Sequence, residues 1–121
     1  KDAELNAKEN DLPERSLYFK DQSVEKFLEE TSQQALAEEL QKPDVIVVNP
    51  SRKGLSASVC EGLLLQKQKN PYTKVIYISC EAESLGNNLK TFVEGGYKLR
   101  QLESFDMFAH TDKIEWIAVL D

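Results

Sequence analysis

Cysteine, histidine and glycine are all scarce in this chain of 121 residues. Two cysteines, Cys60 and Cys80, are too few for a disulfide scaffold. The single histidine, His110, leaves no Cys/His cluster with zinc-ligand spacing, so no metal site is expected. No apolar run approaches the ~20 residues that cross a bilayer, and no membrane association is expected. No basic-then-apolar segment opens the chain as a signal peptide would. Lys1 stands where an initiator Met would, which reads as a processed or excised piece. Positive charge is also in deficit: 15 Lys and Arg against 21 Asp and Glu give a net charge of −6. A module that grips nucleic acid alone must neutralise phosphates and is usually basic. Any nucleic acid handled by this chain is therefore expected to be held mainly by another part of a larger protein.

What is present is an ordinary globular composition, 40% hydrophobic, enough for one domain with one core. It is short for a complete Rossmann-type enzyme. Lys1 to Leu12 is polar and reads as a helix end, interrupted by Pro13. Ser16 to Phe19 is a short strand candidate. Asp21, Gln22 and Ser23 read as a turn and N-cap, with Val24, Phe27 and Leu28 at helical spacing behind them. Thr31 and Gln34 form a second capping box ahead of Ala35, Leu36 and Leu40, so this region is one broken helix or two short ones, ended by Pro43. Val45 to Val48 is a continuous β-branched run of the kind that suits a strand buried on both faces. Ser56 caps a helix carrying Val59, Cys60, Leu63 and Leu64, with Lys67 and Lys69 near its C-terminus, where positive charge complements the dipole. Cys60 reads as core. Lys74 to Ser79 is a second buried strand. Leu85, Leu89, Phe92 and Val93 mark a helix that Gly95 and Gly96 stop. Tyr97 to Phe105 is a third strand, with a possible bulge near Gln101 and Leu102 where its alternation slips. Ile114 to Leu120 is the last strand.

Strands alternating with helices argue for a parallel sheet with helices on both faces. The last two strands are joined too closely for a parallel crossover, which needs about a dozen residues, so the final strand is expected to run antiparallel. In open α/β sheets ligands sit beyond the carboxyl ends of the strands. Three unusual segments fall there: Asn49-Pro50-Ser51-Arg52-Lys53-Gly54, Ser79-Cys80-Glu81, and Asp106-Met107-Phe108-Ala109-His110-Thr111, the last leading into Ile114-Glu115-Trp116. Each has a plain structural reading as well. A cysteine at a strand end is more often a small buried residue than a nucleophile. Glu115 can face solvent or pair with Lys113, Asn49-Pro50 can be a simple turn, Arg52 can be solvated, and Asp21 can be a cap. Trp116 reads as core packing.

Taken together, in this order and spacing, the three segments resemble the tRNA and rRNA uracil-C5 methyltransferases. That family carries an Asp-Pro-Pro-Arg-x-Gly loop, a Ser-Cys-Asn segment, and an Asp-Met-Phe-Pro-x-Thr loop leading to a strand with His-x-Glu. The similarity covers roughly Asn6 to Leu120 and is strongest from Asp44 onward. It implies an α/β fold: a Rossmann-like Class I methyltransferase sheet, partial, with its first strands missing and an antiparallel C-terminal strand. Residues 1–121 would be the C-terminal part of that domain. The function implied is transfer of a methyl group from S-adenosyl-L-methionine to C5 of uridine in tRNA or rRNA, carried out by a larger chain, with the isolated stretch inactive. An intracellular location follows, in the cytoplasm or an organelle.

The chemistry requires these residue types. C5 of uracil is a poor nucleophile until a thiolate adds at C6, and a base must then remove the C5 proton so that the thiolate can leave. The resemblance assigns the nucleophile to Cys80 and the base to Glu115. Asn49, Arg52 and Asp106 become substrate-binding candidates, with Asn49 orienting the base, and Asp21 and Asn49 become cofactor-binding candidates. The sequence also departs from the family pattern. Asn49 replaces an Asp, Ser51 and Ala109 replace prolines, and Glu81 replaces an Asn, placing an anion beside a thiol. No Gly-x-Gly occurs, so the glycine-rich turn of a cofactor site is absent from these residues. The alternative is a degenerate, non-catalytic methyltransferase-like module for RNA or protein interaction.

Overall fold

Three strands of parallel direction, and a fourth threaded back between two of them, organise the molecule. The computed structural model describes residues 2–13, 17–32, 41–107 and 109–121. Helices α1 (Asp2–Glu9) and α2 (Val24–Ser32) precede strand β1 (Val45–Val48), helix α3 (Ala57–Lys69), strand β2 (Lys74–Ser79), helix α4 (Ala82–Glu94) and strands β3 (Leu99–Phe105) and β4 (Glu115–Leu120). Leu17 to Phe19 lies in irregular chain, so the strand expected there does not form in the described residues. Thr31 falls within α2, and Gln34, the other half of the second capping box, lies outside the described residues.

The sheet order is β1-β2-β4-β3. β1 pairs parallel with β2, and β4 pairs antiparallel with both β2 and β3. The final strand therefore runs antiparallel as expected, and it also inserts between its two predecessors. The bulge falls between Leu99 and Gln101. Register sets Ile46, Val75 and Leu120 in one row and Val48, Tyr77 and Ala118 in the next. Side chains in such rows share a face, and this face carries the core. Val75, Tyr77, Ala118 and Leu120 are fully buried against Val59, Cys60 and Leu63 of α3 and Leu85, Leu89 and Phe92 of α4.

Two expectations need correction. The helices flanking the central strands do not cover both faces: α3 and α4 share one core on one face. Both crossovers step in the same direction across the sheet, and right-handed crossovers of one direction put their helices on one side. β1 is not buried on both faces either, because Val45 and Val47 are 49% and 59% exposed. Among the described residues β1 is an edge strand whose outer side pairs with nothing.

The helices form where local chemistry permits. Ser56 caps α3 by accepting a hydrogen bond from the Val59 amide at 3.4 Å, which satisfies a donor that the helix itself cannot. α2 packs on α3 across Gly62, where a Cβ would stand 2.8 Å from Leu28 Cδ1 and 3.0 Å from its Cβ, so any side chain there would force Leu28 to shift. At the end of α4 the Gly95 amide donates to the Thr91 carbonyl at 3.0 Å. Tyr97 then turns back into the core, donating its hydroxyl to the Leu63 carbonyl at 3.0 Å.

Candidate active site

Because β1, β2 and β3 run parallel, their carboxyl ends lie at one end of the sheet, and the antiparallel β4 begins there. Asn49, Cys80 and Asp106 follow β1, β2 and β3 directly, and Glu115 is the first residue of β4. The topology therefore brings the three sequence segments to the same end. Within that end the side chains separate further.

Cys80 occupies a bend between β2 and α4 and is half-buried. The bend is held by Ser79, whose buried hydroxyl donates to the Glu81 carbonyl at 3.0 Å and accepts from the Glu81 amide at 3.1 Å. α4 starts immediately afterwards with no side-chain cap, so its amino end lies beside Cys80. Cys60 is different. It is buried in the core, and burial, helped by nearby Glu61, pushes its thiol above the ordinary range. It is a packing residue, as its place in the apolar stripe implied.

A cleft of about 360 Å³ opens at Cys80, and Arg52, Glu81, Lys113 and Trp116 also line it. Arg52 and Cys80, candidates from two separate segments, are thus brought together. Two cations and two carboxylates, Glu81 and Asp112, share the cleft with a half-buried thiol, and Trp116 gives it a flat wall beside the nucleophile. Trp116, expected from sequence to pack, does pack against the core and also walls this cleft. Lys113, read from sequence only as a partner for Glu115, lines the cleft as well.

Glu115 is half-buried and pairs with Phe105 across β3 and β4. The last paired residues of β2 and β4 are Ser79 and Trp116, so Cys80 and Glu115 sit one step further along the same register. Ile114 and Trp116 line the Cys80 cleft and Glu115 does not. Asp106 is exposed at the end of β3, in a loop where His110 adopts a φ of 68°.

Asn49 is exposed and opens onto a second, larger cleft of about 570 Å³ that does not include Cys80. Its wall is apolar, formed by Val24 and Phe27 of α2, Val45 and Val47 of β1, and Pro50. Asp21 is exposed just before α2, whose first turn joins that wall. Glu25, also in the wall, has its carboxyl held below the usual range by backbone hydrogen bonding and by the Ser56 hydroxyl, which donates to it at 3.0 Å. The donor set suits one side of a nucleoside cofactor: an apolar slot for a flat ring, with an amide at its rim.

Sequence reasoning missed Asn88, which lies inside the α4 stripe and carries no local signal. Its Oδ1 accepts from the Leu55 amide at 2.9 Å and from the Tyr77 hydroxyl at 2.8 Å. Its Nδ2 donates to the Leu55 carbonyl at 3.2 Å and to Cys60 Sγ at 3.5 Å.

Among the described residues no helix is long and apolar enough to cross a membrane, and no group of three or more His, Cys, Asp or Glu could hold a metal ion.

A family model described as tRNA (Uracil-5-)-methyltransferase matches residues 19–121. An uncharacterized RNA methyltransferase of Oceanobacillus iheyensis is 32% identical over 119 residues, covering 98% of this chain and 24% of the relative. Another, of Fusobacterium nucleatum, is 34% identical over 120 residues, covering 99% of this chain and 24% of the relative. This chain thus spans about a quarter of the length of these curated relatives. Among solved structures, the Pyrococcus abyssi tRNA (uracil-54, C5)-methyltransferase in complex with S-adenosyl-L-homocysteine shares the fold. Its TM-score is 0.72 at 23% identity, over 98% of this chain and 25% of that one.

Proposed function

This chain belongs to the tRNA (uracil-5-)-methyltransferase family, and from that premise we propose that it forms the nucleophile-bearing part of an RNA uracil-C5 methyltransferase. The observation that carries the reading is the placement of Cys80. It is a half-buried thiol in a cleft with Arg52, at the carboxyl ends of the parallel strands, with Glu115 at the same end of the adjacent strand.

In this reading the Cys80 thiolate adds to C6 of the target uracil, forming a C–S bond and moving electron density onto C5 and O4. Arg52 steadies the negative charge that develops on the ring. S-adenosyl-L-methionine, when bound, supplies the electrophilic methyl group that C5 takes. The Glu115 carboxylate then removes the proton from C5, and the C6–S bond breaks to return the thiolate and release 5-methyluridine. Asn49 orients the uracil from the rim of the neighbouring cleft, and Asp106 contributes a polar contact at the end of β3. Asp21 and Asn49, which flank the apolar wall of Val24, Phe27 and Val47, would hold the adenosine side of the cofactor. The substrate is tRNA or rRNA, gripped mainly by the rest of the protein, since these residues carry a net charge of −6.

The test uses the full-length protein with RNA containing 5-fluorouridine, in which fluorine at C5 cannot leave as a proton. Wild type is expected to form a covalent adduct, and Cys80→Ala to form none and to methylate no uridine. Glu115→Gln is expected to slow turnover on ordinary RNA by about 10²- to 10⁴-fold while the adduct accumulates. A Cys80→Ala variant that methylates normally would overturn the assignment. A second reading, a non-catalytic module for RNA or protein, draws on the Glu81 carboxylate in the Cys80 cleft and on Glu115 lying outside it. It requires that the wild-type protein form no adduct.

A further inference from the structure

The loop from Asn49 to Ser56 carries two of the candidate site residues, yet it has no regular structure of its own. Something must fix it relative to Cys80, because a nucleophile and the groups that hold its substrate work only at defined separation. Asn88 has the bonds to do so. Its side-chain amide takes both the N–H and the C=O of Leu55, as a neighbouring strand would, and its oxygen also receives the hydroxyl of fully buried Tyr77 on β2. Gly54 seats directly on this amide. It has a φ of +75°, and a Cβ there would lie 2.6 Å from Asn88 Oδ1 and 3.1 Å from Ser84 Cβ. The loop therefore rests on the first half of α4, the helix that begins two residues after Cys80. Ser84 of the same helix donates to the Glu81 carbonyl, and the Glu81 amide donates to Ser79 in the thiol's bend.

We propose that Asn88 is a positioning residue. Through Leu55 and Tyr77 it locks the loop bearing Asn49 and Arg52 to the helix and strand bearing Cys80, so that the two halves of the site keep one geometry. The inference rests on the reading of Cys80 as nucleophile. It assigns Asn88 no contact with substrate.

The experiment is single-turnover adduct formation by the full-length protein on 5-fluorouridine RNA, at saturating RNA and well below the melting temperature. Asn88→Leu, close in volume and unable to hydrogen-bond, is expected to slow adduct formation by ~10²-fold, the scale of an ångström's misplacement. The KM for RNA and the rate at which iodoacetamide alkylates Cys80 should stay as in wild type, since neither the RNA grip nor the thiol has changed. A variant that merely loses folded protein would lower alkylation protection and amplitude, not the rate of the folded fraction, and that outcome overturns the proposal. If Asn88→Leu does not fold, Tyr77→Phe removes one of the bonds and no more than a hydroxyl. It is expected to slow the reaction by about 10-fold, the worth of one lost hydrogen bond, and an unchanged rate overturns the proposal. Wild type that forms no adduct sinks the reading of Cys80 and this inference together. Wild type that traps beside an Asn88→Leu protein trapping equally fast sinks this inference alone.

Discussion

Tyr97 shows how much a single side chain can tie together when every part of it is used. Its ring meets Phe92 edge-on, with centroids 5.6 Å apart and planes at 75°, and the Lys67 ammonium lies 5.2 Å from its centroid. Its hydroxyl donates to the Leu63 carbonyl at 3.0 Å, linking the start of β3 to α3. Burial pushes its phenol from 10.0 up to about 12. The folded protein thus keeps this proton at a pH where the unfolded chain releases it. The resulting stabilisation is complete below the unfolded value of 10.0 and is lost as pH rises through about 12. Tyr97→Phe is expected to cost about 1 kcal/mol at neutral pH through the lost hydrogen bond, and to flatten the decline in stability at alkaline pH. Denaturant midpoints of the two proteins across that range, with tyrosinate absorbance followed in parallel, decide it. A wild-type decline no steeper than the variant's would show that Tyr97 ionises without leaving the core.

At the level of elements, one hydroxyl bridges α2 to the start of α3 beside the packing of Leu28 on Gly62. Ser56 caps α3 through the Val59 amide and donates to Glu25 on α2. Ser56→Ala is expected to destabilise the protein by about 0.5–2 kcal/mol as a lost N-cap, measured as a shift in denaturation midpoint. A shift near zero would mean that packing of Leu28 over Gly62 alone holds the pair. The sequence made this cap readable, as it did β2 and α4: Ser56 stands just ahead of an apolar stripe, and Val75 to Ile78 is an unbroken apolar run. The antiparallel direction of β4 was readable too, from the shortness of the chain between Phe105 and Glu115. What stayed hidden depends on neighbours distant in sequence. Nothing local in Ile117 to Leu120 says that this strand lies between β2 and β3. The run Val45 to Val48 looks like a central strand because hydropathy cannot tell which flanking partner is present. The site follows the same division. The gathering of three loops at one end of the sheet was legible from strand order. The opening of Asn49 and Cys80 onto separate clefts, and the clamp of Asn88 on Leu55, were not, because both arise from contacts across the fold.

For the whole molecule the decisive feature is the outer side of β1. Among the described residues it pairs only with β2, and Val45 and Val47 stand open to solvent beside the apolar cleft of about 570 Å³. Free edges of this kind invite association unless they are covered. Gln66, on the same cleft, is 1% exposed, and neither polar atom of its side chain has a hydrogen-bond partner among the described residues. The curated relatives are about four times as long as this chain, which covers 24% of them. The expectation is that, in the full-length protein, other parts of the polypeptide cover the β1 edge and reach Gln66. Hydrogen exchange on that protein would then find the amides of Val45 to Val48 protected as strongly as those of Val75 to Ile78, independent of protein concentration. Rapid exchange at β1 would mean an open edge, and protection that vanishes on dilution would mean a second copy as the cover. Gln66→Leu adds a sign to the test. If the rest of the protein bonds this side chain, the substitution strands those partners and costs about 1–3 kcal/mol. If Gln66 stays unpaired in the complete fold, replacing a buried unsatisfied amide with an apolar group of similar size leaves stability equal or higher. A destabilised variant together with a protected β1 would place another part of the full-length protein against the β1 edge and Gln66, with the Asn49 rim of the cleft left open.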